Sequence, residues 1–202
     1  MIMESPAVFL PTYFFFRTSG FNDLSLVLFF LIWQLHYFHR AFIYPFKKTG
    51  GHKPFPLLLV GLAILFNLMN GYINSYEVYV YNSYEKDWWY QWPFIGGLTL
   101  FLIGFYINKQ SDAILSTLRQ PGETTYSVPF GGGFKWVSNP HYLGELLEWC
   151  GWAILTWSAA GWAFVAYTFA NLAPRALAHH RWYVATFEKY PAERKILIPF
   201  IW

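Results

Sequence analysis

The fold of this chain is constrained most by a succession of apolar windows separated by short polar loops. A helix of about 20 apolar residues can cross the roughly 30 Å hydrocarbon core of a bilayer. Only 12% of the residues are charged, whereas about 25% is usual in a soluble domain. Together these properties predict an all-α integral membrane protein that is a multi-pass helix bundle.

Six apolar windows, and hence six transmembrane segments, follow one another along the sequence. They cover residues 5–16, 23–44, 56–75, 93–107, 141–157 and 160–174. Asn22 is the predicted cap of the second window, because asparagine often accepts hydrogen bonds from the first N–H groups of a helix. The last two windows are predicted to form a tight hairpin that breaks near residues 158–160. No internal repeat divides the chain, so we expect one membrane-embedded domain over residues 1–202.

Polar segments extend two of these windows. The window 93–107 is predicted to continue as a polar helix to Arg119, and a second polar helix is predicted from Arg175 to Tyr190. A Gly- and Pro-rich loop covers residues 120–138. Its glycine triplet, 131–133, suits either a mobile cover over a ligand or an ordinary flexible turn.

The distribution of lysine and arginine predicts which loops face the cytoplasm. The loop 46–53 carries three of these residues, the segment 108–137 carries three and the segment 175–202 carries five. The loop 76–91 carries one lysine and three carboxylates. The positive-inside rule therefore places the first three segments on the cytoplasmic side, as in a bacterial inner membrane or an endoplasmic reticulum membrane.

Polar residues recur at helical spacing on the cytoplasmic side of several predicted helices. In NPHYLGELLEW, His141, Glu145 and Glu148 share one face of a helix. Ionisable groups near membrane depth are costly unless they are paired, and they often mark a working site. Three further groups have helical spacing: Tyr37 and Arg40; Asn108, Asp112, Leu115 and Arg119; and Arg175, His179 and Tyr183. A single group of this kind is explained equally well by the polar end of a cytoplasmic helix.

The chemistry of the combined set favours a dinucleotide. Arginines bind pyrophosphate as charged forks, whereas Asn, Asp and Glu suit ribose hydroxyls and carboxamides. No GxGxxG sequence follows a strand, so a Rossmann domain is not predicted. We therefore interpret the set as a dinucleotide site at the cytoplasmic membrane surface.

Other classes of site are less well matched. The spacing of His141, Glu145 and Glu148 matches neither HExxH nor the Glu-x-x-His pair of di-iron helices, so no metal site is predicted. The formal charge of +3 does not indicate a nucleic-acid partner. Cys150 alone supports no disulfide framework. The remaining polar stripe has two interpretations, helix–helix hydrogen bonding or the lining of a substrate cavity; it consists of Asn67, Asn70 and Asn74.

Several long motifs resemble those of the steroid 5α-reductase (3-oxo-5α-steroid 4-dehydrogenase) family. They are LHYFHRAFIYP at 35–45, INKQSDAILSTLRQPGE at 107–123, NPHYLGELLEW at 139–149 and PRALAHHRWYVATFEKYPAERKILIPFIW at 174–202. The resemblance implies a fold of seven membrane helices, of which this chain looks to lack the first, with cytoplasmic helix extensions. It also implies NADPH-dependent reduction of the Δ4 double bond of 3-oxo-Δ4 steroids to 5α-3-oxosteroids by hydride transfer to C5.

Site residues carry over from the family position by position. The resemblance makes Tyr37 and Glu4 the catalytic pair that polarises the 3-oxo group, and it places Met3 and Trp149 at the substrate. The implied cofactor contacts are Arg40, Asn108, Asp112, Leu115, Arg119, Tyr126, His141, Glu145, Arg175, His179 and Tyr183. The chain departs from some members at three of the matched positions, with Met3 in place of glutamine, His141 in place of asparagine and Ser127 in place of arginine.

Related membrane enzymes are the alternatives. Polyprenol, sterol and enoyl-CoA reductases share NADPH and alkene reduction, whereas isoprenylcysteine-type methyltransferases use S-adenosylmethionine. Three arginines fit a dinucleotide phosphate better than that methyl donor. A non-enzymatic sterol-binding scaffold would not need Glu4, Tyr37 and a full set of dinucleotide contacts together. The expected partners are a steroid substrate and the lipid bilayer, with no obligatory protein partner.

Overall fold

The structure of this chain, a computed structural model, describes residues 3–18, 20–47, 56–118 and 126–202. Within those ranges the regular secondary structure is helical, and the only β-type pairing is one parallel bridge between Val137 and Lys195. The principal helices are α1 (Pro6–Arg17), α2 (Leu24–Phe38), α3 (Leu57–Tyr76), α4 (Trp92–Thr117), α5 (Pro140–Thr156) and α6 (Ala159–Thr186). Two of them continue as π-helices, α2 through His39–Ile43 and α3 through Glu77–Tyr81.

The sequence located these helices well, with two corrections. The predicted cap Asn22 is wrong: the Asp23 side chain accepts hydrogen bonds from the N–H groups of Ser25 and Leu26. The helix predicted from Arg175 to Tyr190 is not a separate element, because α6 runs from Ala159 through Pro174 to Thr186 without interruption. Proline removes one intrahelical hydrogen bond, and a helix packed in a bundle tolerates that loss.

The chain forms two compact units. The first contains the residues up to Ile95 and Ile154–Gly161, and the second contains Gly96–Ala153 and Trp162–Trp202.

In the first unit, α1 packs against both α2 and α3. Pro11 lies inside α1 and has no N–H group, so the carbonyl of Ala7 lacks its usual partner four residues later. The indole N–H of Trp33 on α2 donates to this carbonyl at 2.7 Å. Gln34 donates nearby to the Val8 carbonyl at 3.0 Å. A hydrogen bond that α1 cannot make internally therefore joins it to α2.

Glu77 fixes the start of α6, also within the first unit. Its two carboxylate oxygens accept from the N–H groups of Ala159 and Ala160 at 2.8 and 2.6 Å. A carboxylate at a helix N-terminus satisfies unpaired donors and interacts favourably with the helix dipole. The predicted hairpin break is confirmed, because α5 ends at Thr156 and α6 begins at Ala159.

In the second unit, α4 and α5 approach backbone to backbone at glycines. A Cβ atom added to Gly104 would lie 2.5 Å from the Gly144 carbonyl oxygen, and one added to Gly151 would lie 2.5 Å from the Phe101 nitrogen. The two glycines of α5, Gly144 and Gly151, are seven residues apart, so they lie on the same side of the helix. This small-residue contact is typical of helices packed within a membrane.

The carboxyl-terminal tail also packs within the second unit. Lys195 accepts from the N–H of Ser138 and donates to the Trp136 carbonyl, both at 2.8 Å. Leu197 is fully buried against Leu146 of α5 and Leu172 of α6. The tail therefore contributes to the hydrophobic core that holds α5 and α6.

Among the residues that the structure describes, two helical segments are long and apolar enough to cross a membrane, Leu24–Phe46 and Leu57–Tyr81. In each, most of the apolar window is not buried by protein; Leu57 and Leu58, for example, are 86% and 73% exposed. Apolar helices that remain uncovered by the rest of the chain fit a lipid environment. These exposed apolar helices indicate membrane association.

Candidate functional site

Tyr37 lies on α2 in the first unit and is 4% exposed. Its hydroxyl oxygen accepts a hydrogen bond from Nδ2 of Asn70 on α3 at 3.2 Å. The orientation of that amide is set in turn by Asn74, whose Nδ2 donates to Oδ1 of Asn70 at 3.0 Å. This arrangement uses a lone pair of the Tyr37 hydroxyl and not its proton. The Trp33 ring packs against the phenol ring with a centroid distance of 4.9 Å.

Glu4 and Arg40 form an ion pair in the same unit. Arg40 Nε donates to Glu4 Oε1 at 3.1 Å, and both side chains are 29% exposed. Glu4 Oε2 is buried and has no hydrogen-bond partner among residues 3–18, 20–47, 56–118 and 126–202. Arg40, which was predicted to contact a cofactor, therefore also orients the predicted catalytic carboxylate. It lies in the π-helical part of α2, a backbone form that is frequent at functional sites.

The asparagine stripe of α3 organises this region. Asn67 donates to the carbonyl of Met3 at 3.0 Å, which fixes the backbone just before Glu4. Asn70 contacts Tyr37, as described above. Of the two interpretations of this stripe, the structure supports hydrogen bonding between chain segments. These bonds reach Met3, which precedes the predicted catalytic Glu4, and Tyr37, the other predicted catalytic residue.

In the second unit, Asn108 of α4 is 2% exposed and contacts the start of α5. Its Nδ2 donates to the main-chain carbonyl of His141 at 2.9 Å. Its Oδ1 is buried and accepts no hydrogen bond in the described part of the chain. A buried amide oxygen without a donor is costly, so it is a ready acceptor for a group supplied by a ligand.

The three polar residues of α5 differ in their surroundings. Glu148 is fully buried, whereas His141 and Glu145 are partly exposed. Trp149, predicted to contact substrate, is 1% exposed and packs against Phe164 with a ring-centroid distance of 4.4 Å. The three polar residues lie on one helix, as predicted, but Glu148 is enclosed by the protein.

The remaining predicted contacts of the second unit lie on α4 and on the loop after it. Asp112 and Leu115 are partly exposed on α4. Tyr126 is 61% exposed and meets the Trp182 ring edge to face at 5.1 Å. Arg119 lies outside the described residues.

His179 of α6 is held by Asn139, the residue just before α5. The His179 Nδ1 atom and the Asn139 Oδ1 atom are 3.2 Å apart. The imidazole stacks on the Tyr142 ring at 5.8 Å with an interplanar angle of 22°. Partial burial, and secondarily the positive charge of Arg175, lower the pKa of His179 below its usual range.

Ser138 forms a second connection to α6. Its buried hydroxyl lies 2.6 Å from His180 Nδ1, 2.6 Å from the Tyr190 hydroxyl and 3.3 Å from the Lys195 carbonyl oxygen. Burial lowers the pKa of His180. The Tyr190 ring in turn stacks nearly parallel on Tyr183 at 5.4 Å. A predicted cofactor residue, Tyr183, is thus supported by a chain of contacts that begins at Ser138.

The glycine triplet forms a packed turn. Gly131 and Gly132 have φ values of 93° and 49°, which favour glycine. The 3₁₀ turn that follows, Gly132–Lys135, carries the fully buried Phe134. Of the two interpretations of this triplet, the structure therefore favours an ordinary turn.

Sequence reasoning missed Asn70 as a partner of Tyr37, and it missed Asn139, Ser138 and Tyr190 altogether. Helical spacing detects residues on one face of one helix, whereas each of these contacts joins residues at least 33 positions apart. The one available signal was the polar pair 138–139 placed directly before a proline that begins a helix. Such a pair is ordinarily interpreted as a helix cap.

Comparison with known proteins identifies the relationship. The family described as 3-oxo-5-alpha-steroid 4-dehydrogenase matches residues 53–202. The chain is 44% identical over its whole length to steroid 5-alpha-reductase DET2 of Arabidopsis thaliana and covers 79% of that protein. It is 43% identical to 3-oxo-5-alpha-steroid 4-dehydrogenase 1 of Macaca fascicularis, covering 77%, and 42% identical to that of Homo sapiens, covering 78%, again over its whole length.

These matches make the chain an enzyme, an oxidoreductase that acts on CH–CH groups. It belongs to the 3-oxo-5-alpha-steroid 4-dehydrogenase family, and the resemblance drawn from its motifs is confirmed.

Proposed function

We propose that this protein reduces the Δ4 double bond of 3-oxo-Δ4 steroids to 5α-3-oxosteroids with NADPH. The observation that carries the substrate class is the identity, over the whole chain, to relatives named for this activity. Six transmembrane segments within one domain, with the cofactor site on the cytoplasmic side, complete the proposal.

The second unit offers groups that suit NADPH. The buried Oδ1 of Asn108 accepts no hydrogen bond from the residues that the structure describes, and Arg175, His179 and Tyr183 lie at helical spacing on α6. Ribose hydroxyls, the carboxamide and phosphates match acceptor, donor and cationic groups of this kind. Asp112, Leu115, Arg119, Tyr126, His141 and Glu145 complete the proposed contacts of this unit. Bound NADPH would supply the hydride that the reduction requires.

Tyr37 is the proposed proton donor to the 3-oxo oxygen. When hydride adds to the β carbon of an enone, negative charge develops on the carbonyl oxygen, and a donor placed there stabilises the transition state. The bond from Asn70 leaves the Tyr37 proton out of that interaction. A hydroxyl that already accepts a hydrogen bond is a stronger donor, because chains of hydrogen bonds polarise one another.

Glu4 and Arg40 support this donor. Arg40 keeps the carboxylate of Glu4 in one orientation through Nε, and the buried Oε2 is an acceptor with no competing partner in the described ranges. We propose that this carboxylate orients the tyrosine hydroxyl toward the substrate. Met3 and Trp149 are the proposed substrate contacts.

The test is steroid reduction by purified protein in nanodiscs. NADPH and a 3-oxo-Δ4 steroid are added, loss of NADPH absorbance is followed, and products from several enones are identified by mass spectrometry. Tyr37→Phe should keep cofactor affinity and lose about 10²–10⁴-fold in turnover. Near-normal reduction by that variant would refute the assignment of Tyr37, and methyl transfer from labelled S-adenosylmethionine would refute the reaction class.

A further inference from the structure

Asn139 is fully buried and its amide group has one possible orientation. Nδ2 donates to the Ala176 carbonyl of α6 at 3.0 Å and to the Ile196 carbonyl of the tail at 3.1 Å. Both amide protons are used by acceptors that cannot themselves donate. Oδ1 is therefore the atom that faces Nδ1 of His179 at 3.2 Å.

The orientation of this amide determines the tautomer of His179. A carbonyl oxygen carries no proton, so the hydrogen bond forms only if Nδ1 of the imidazole is the donor. A neutral ring protonated at Nδ1 has a lone pair at Nε2. The ring is neutral near pH 7, since partial burial and the charge of Arg175 both disfavour the imidazolium.

The other groups around the ring do not reverse this result. Tyr142 stacks on the ring from α5, and Arg175 is the charged group that acts on it from α6. The tail contributes main-chain carbonyls to Asn139 and not to the ring. The His179 side chain is partly buried and keeps part of its surface in solvent. Since Nδ1 faces the buried Asn139 amide, Nε2 points away from that amide.

We propose that Asn139 is a positioning residue that holds His179 as an acceptor, so that Nε2 binds a hydrogen-bond donor of the dinucleotide, a ribose hydroxyl or the carboxamide N–H. The inference rests on the proposed function for its ligand. A lone pair repels the oxygens of a phosphate, so His179 is assigned to the uncharged part of the cofactor and not to the pyrophosphate. Arg175, one turn earlier on α6, is the group suited to the anion.

The direct test is nitrogen NMR of the full chain in nanodiscs with ¹⁵N-labelled histidine. The His179→Gln variant identifies the His179 resonances by their loss. The expected result at neutral pH is a pyrrole-type signal for Nδ1 and a pyridine-type signal for Nε2. The Nε2 signal should shift when NADP⁺ is added and stay unchanged when inorganic pyrophosphate is added.

Three outcomes would overturn the inference, and they can be distinguished. A pyridine-type Nδ1 contradicts the tautomer. Binding of NADP⁺ that leaves the Nε2 signal unchanged contradicts the recognition of a donor, while the proposed cofactor stands. A protein that has the expected tautomer but binds no NADP⁺ refutes both the proposed cofactor and the ligand assigned to His179.

Variants add a test by affinity, measured as energy transfer from tryptophan to NADPH. His179→Gln keeps an acceptor and should weaken NADPH binding less than His179→Phe, which should bind about fivefold to tenfold more weakly than the wild type. Asn139→Asp introduces a carboxylate that favours the imidazolium, which has no acceptor. Its NADPH affinity should therefore be low at pH 7 and recover as the pH is raised, a profile that a purely structural defect would not give.

Discussion

Gly144→Ala tests the close packing of α4 and α5. The added Cβ would lie 2.6 Å from both the Gly104 oxygen and the Asn108 nitrogen, which are backbone atoms that cannot turn aside. Ordinary contact starts at 3.4 Å, so the helices must separate by about 1 Å. Overpacking of this kind costs about 1–3 kcal/mol. The higher helix propensity of alanine than of glycine offsets about 1 kcal/mol of this cost.

Because the clash meets backbone on the opposing helix, the cost should lie in the upper part of that range, about 2–3 kcal/mol, and the expected net loss is about 1–2 kcal/mol. For a chain of this length that is a decrease in Tm of about 2–8 °C. The Asn108–His141 hydrogen bond, at 2.9 Å, spans the same pair of helices, so NADP⁺ affinity should fall as well. The assays are thermal unfolding in detergent and titration with NADP⁺.

Gly96→Ala is the matched control on α4. A Cβ at Gly96 meets nothing within 4 Å, so this change should leave the Tm unchanged or raise it slightly. If Gly144→Ala were as stable as Gly96→Ala, the backbone contact described for α4 and α5 would not exist in solution.

Three further predictions concern the polar contacts. Asn70→Leu should lower turnover without weakening NADPH binding, because it removes the bond to the Tyr37 hydroxyl; equal loss in both measurements would argue against a role at that hydroxyl. Ser138→Ala should decrease the free energy of unfolding by about 1–3 kcal/mol in denaturant titrations, since it leaves buried partners unsatisfied, and a neutral effect would contradict the hydrogen bonds described. Both His179 and His180 have lowered pKa values, so the folded state binds fewer protons than the unfolded state below about pH 6.5. Acidification through that range should therefore lower the Tm of the wild type more than that of a variant in which both histidines are glutamine.

Much of the helical architecture could be predicted from sequence, because a helix that crosses a membrane needs an apolar stretch of about 20 residues and such stretches can be located directly. The window 93–107 with its polar extension corresponds to α4, and the hairpin break falls where it was expected. The errors concern single residues. Asp23 and Asn22 are both good caps, and only the backbone direction decides between them. Pro174 ordinarily suggests a helix end, and tertiary packing overrides that preference.

The site could be predicted only in part, for a physical reason. Tyr37 and His179 could be proposed as site residues because their motifs and spacing are local. The groups that orient them, Asn70 and Asn139, come from other segments of the chain, and no periodicity links them to their partners. Whether Glu148 is enclosed or exposed also depends on neighbours remote in sequence. Local patterns therefore indicate candidate residues for a site, and the fold decides which atom of each candidate is available for a hydrogen bond.

The hydrogen bond from Trp33 to the Ala7 carbonyl, which Pro11 leaves without its usual partner, has an evolutionary consequence. The indole N–H of Trp33 replaces the amide N–H that Pro11 lacks as the donor to the Ala7 carbonyl. Pro11 therefore leaves an acceptor for the buried indole, and Trp33 supplies the donor that Pro11 removes. In a homologue with alanine at position 11, the internal helical hydrogen bond to the carbonyl of residue 7 would be restored, and the indole of residue 33 would no longer be needed as its donor. In a homologue with proline at position 11 and phenylalanine at position 33, that carbonyl would have no donor. Positions 11 and 33 should therefore change together across related chains. Changing only one of them should lower the stability of the fold more than changing both.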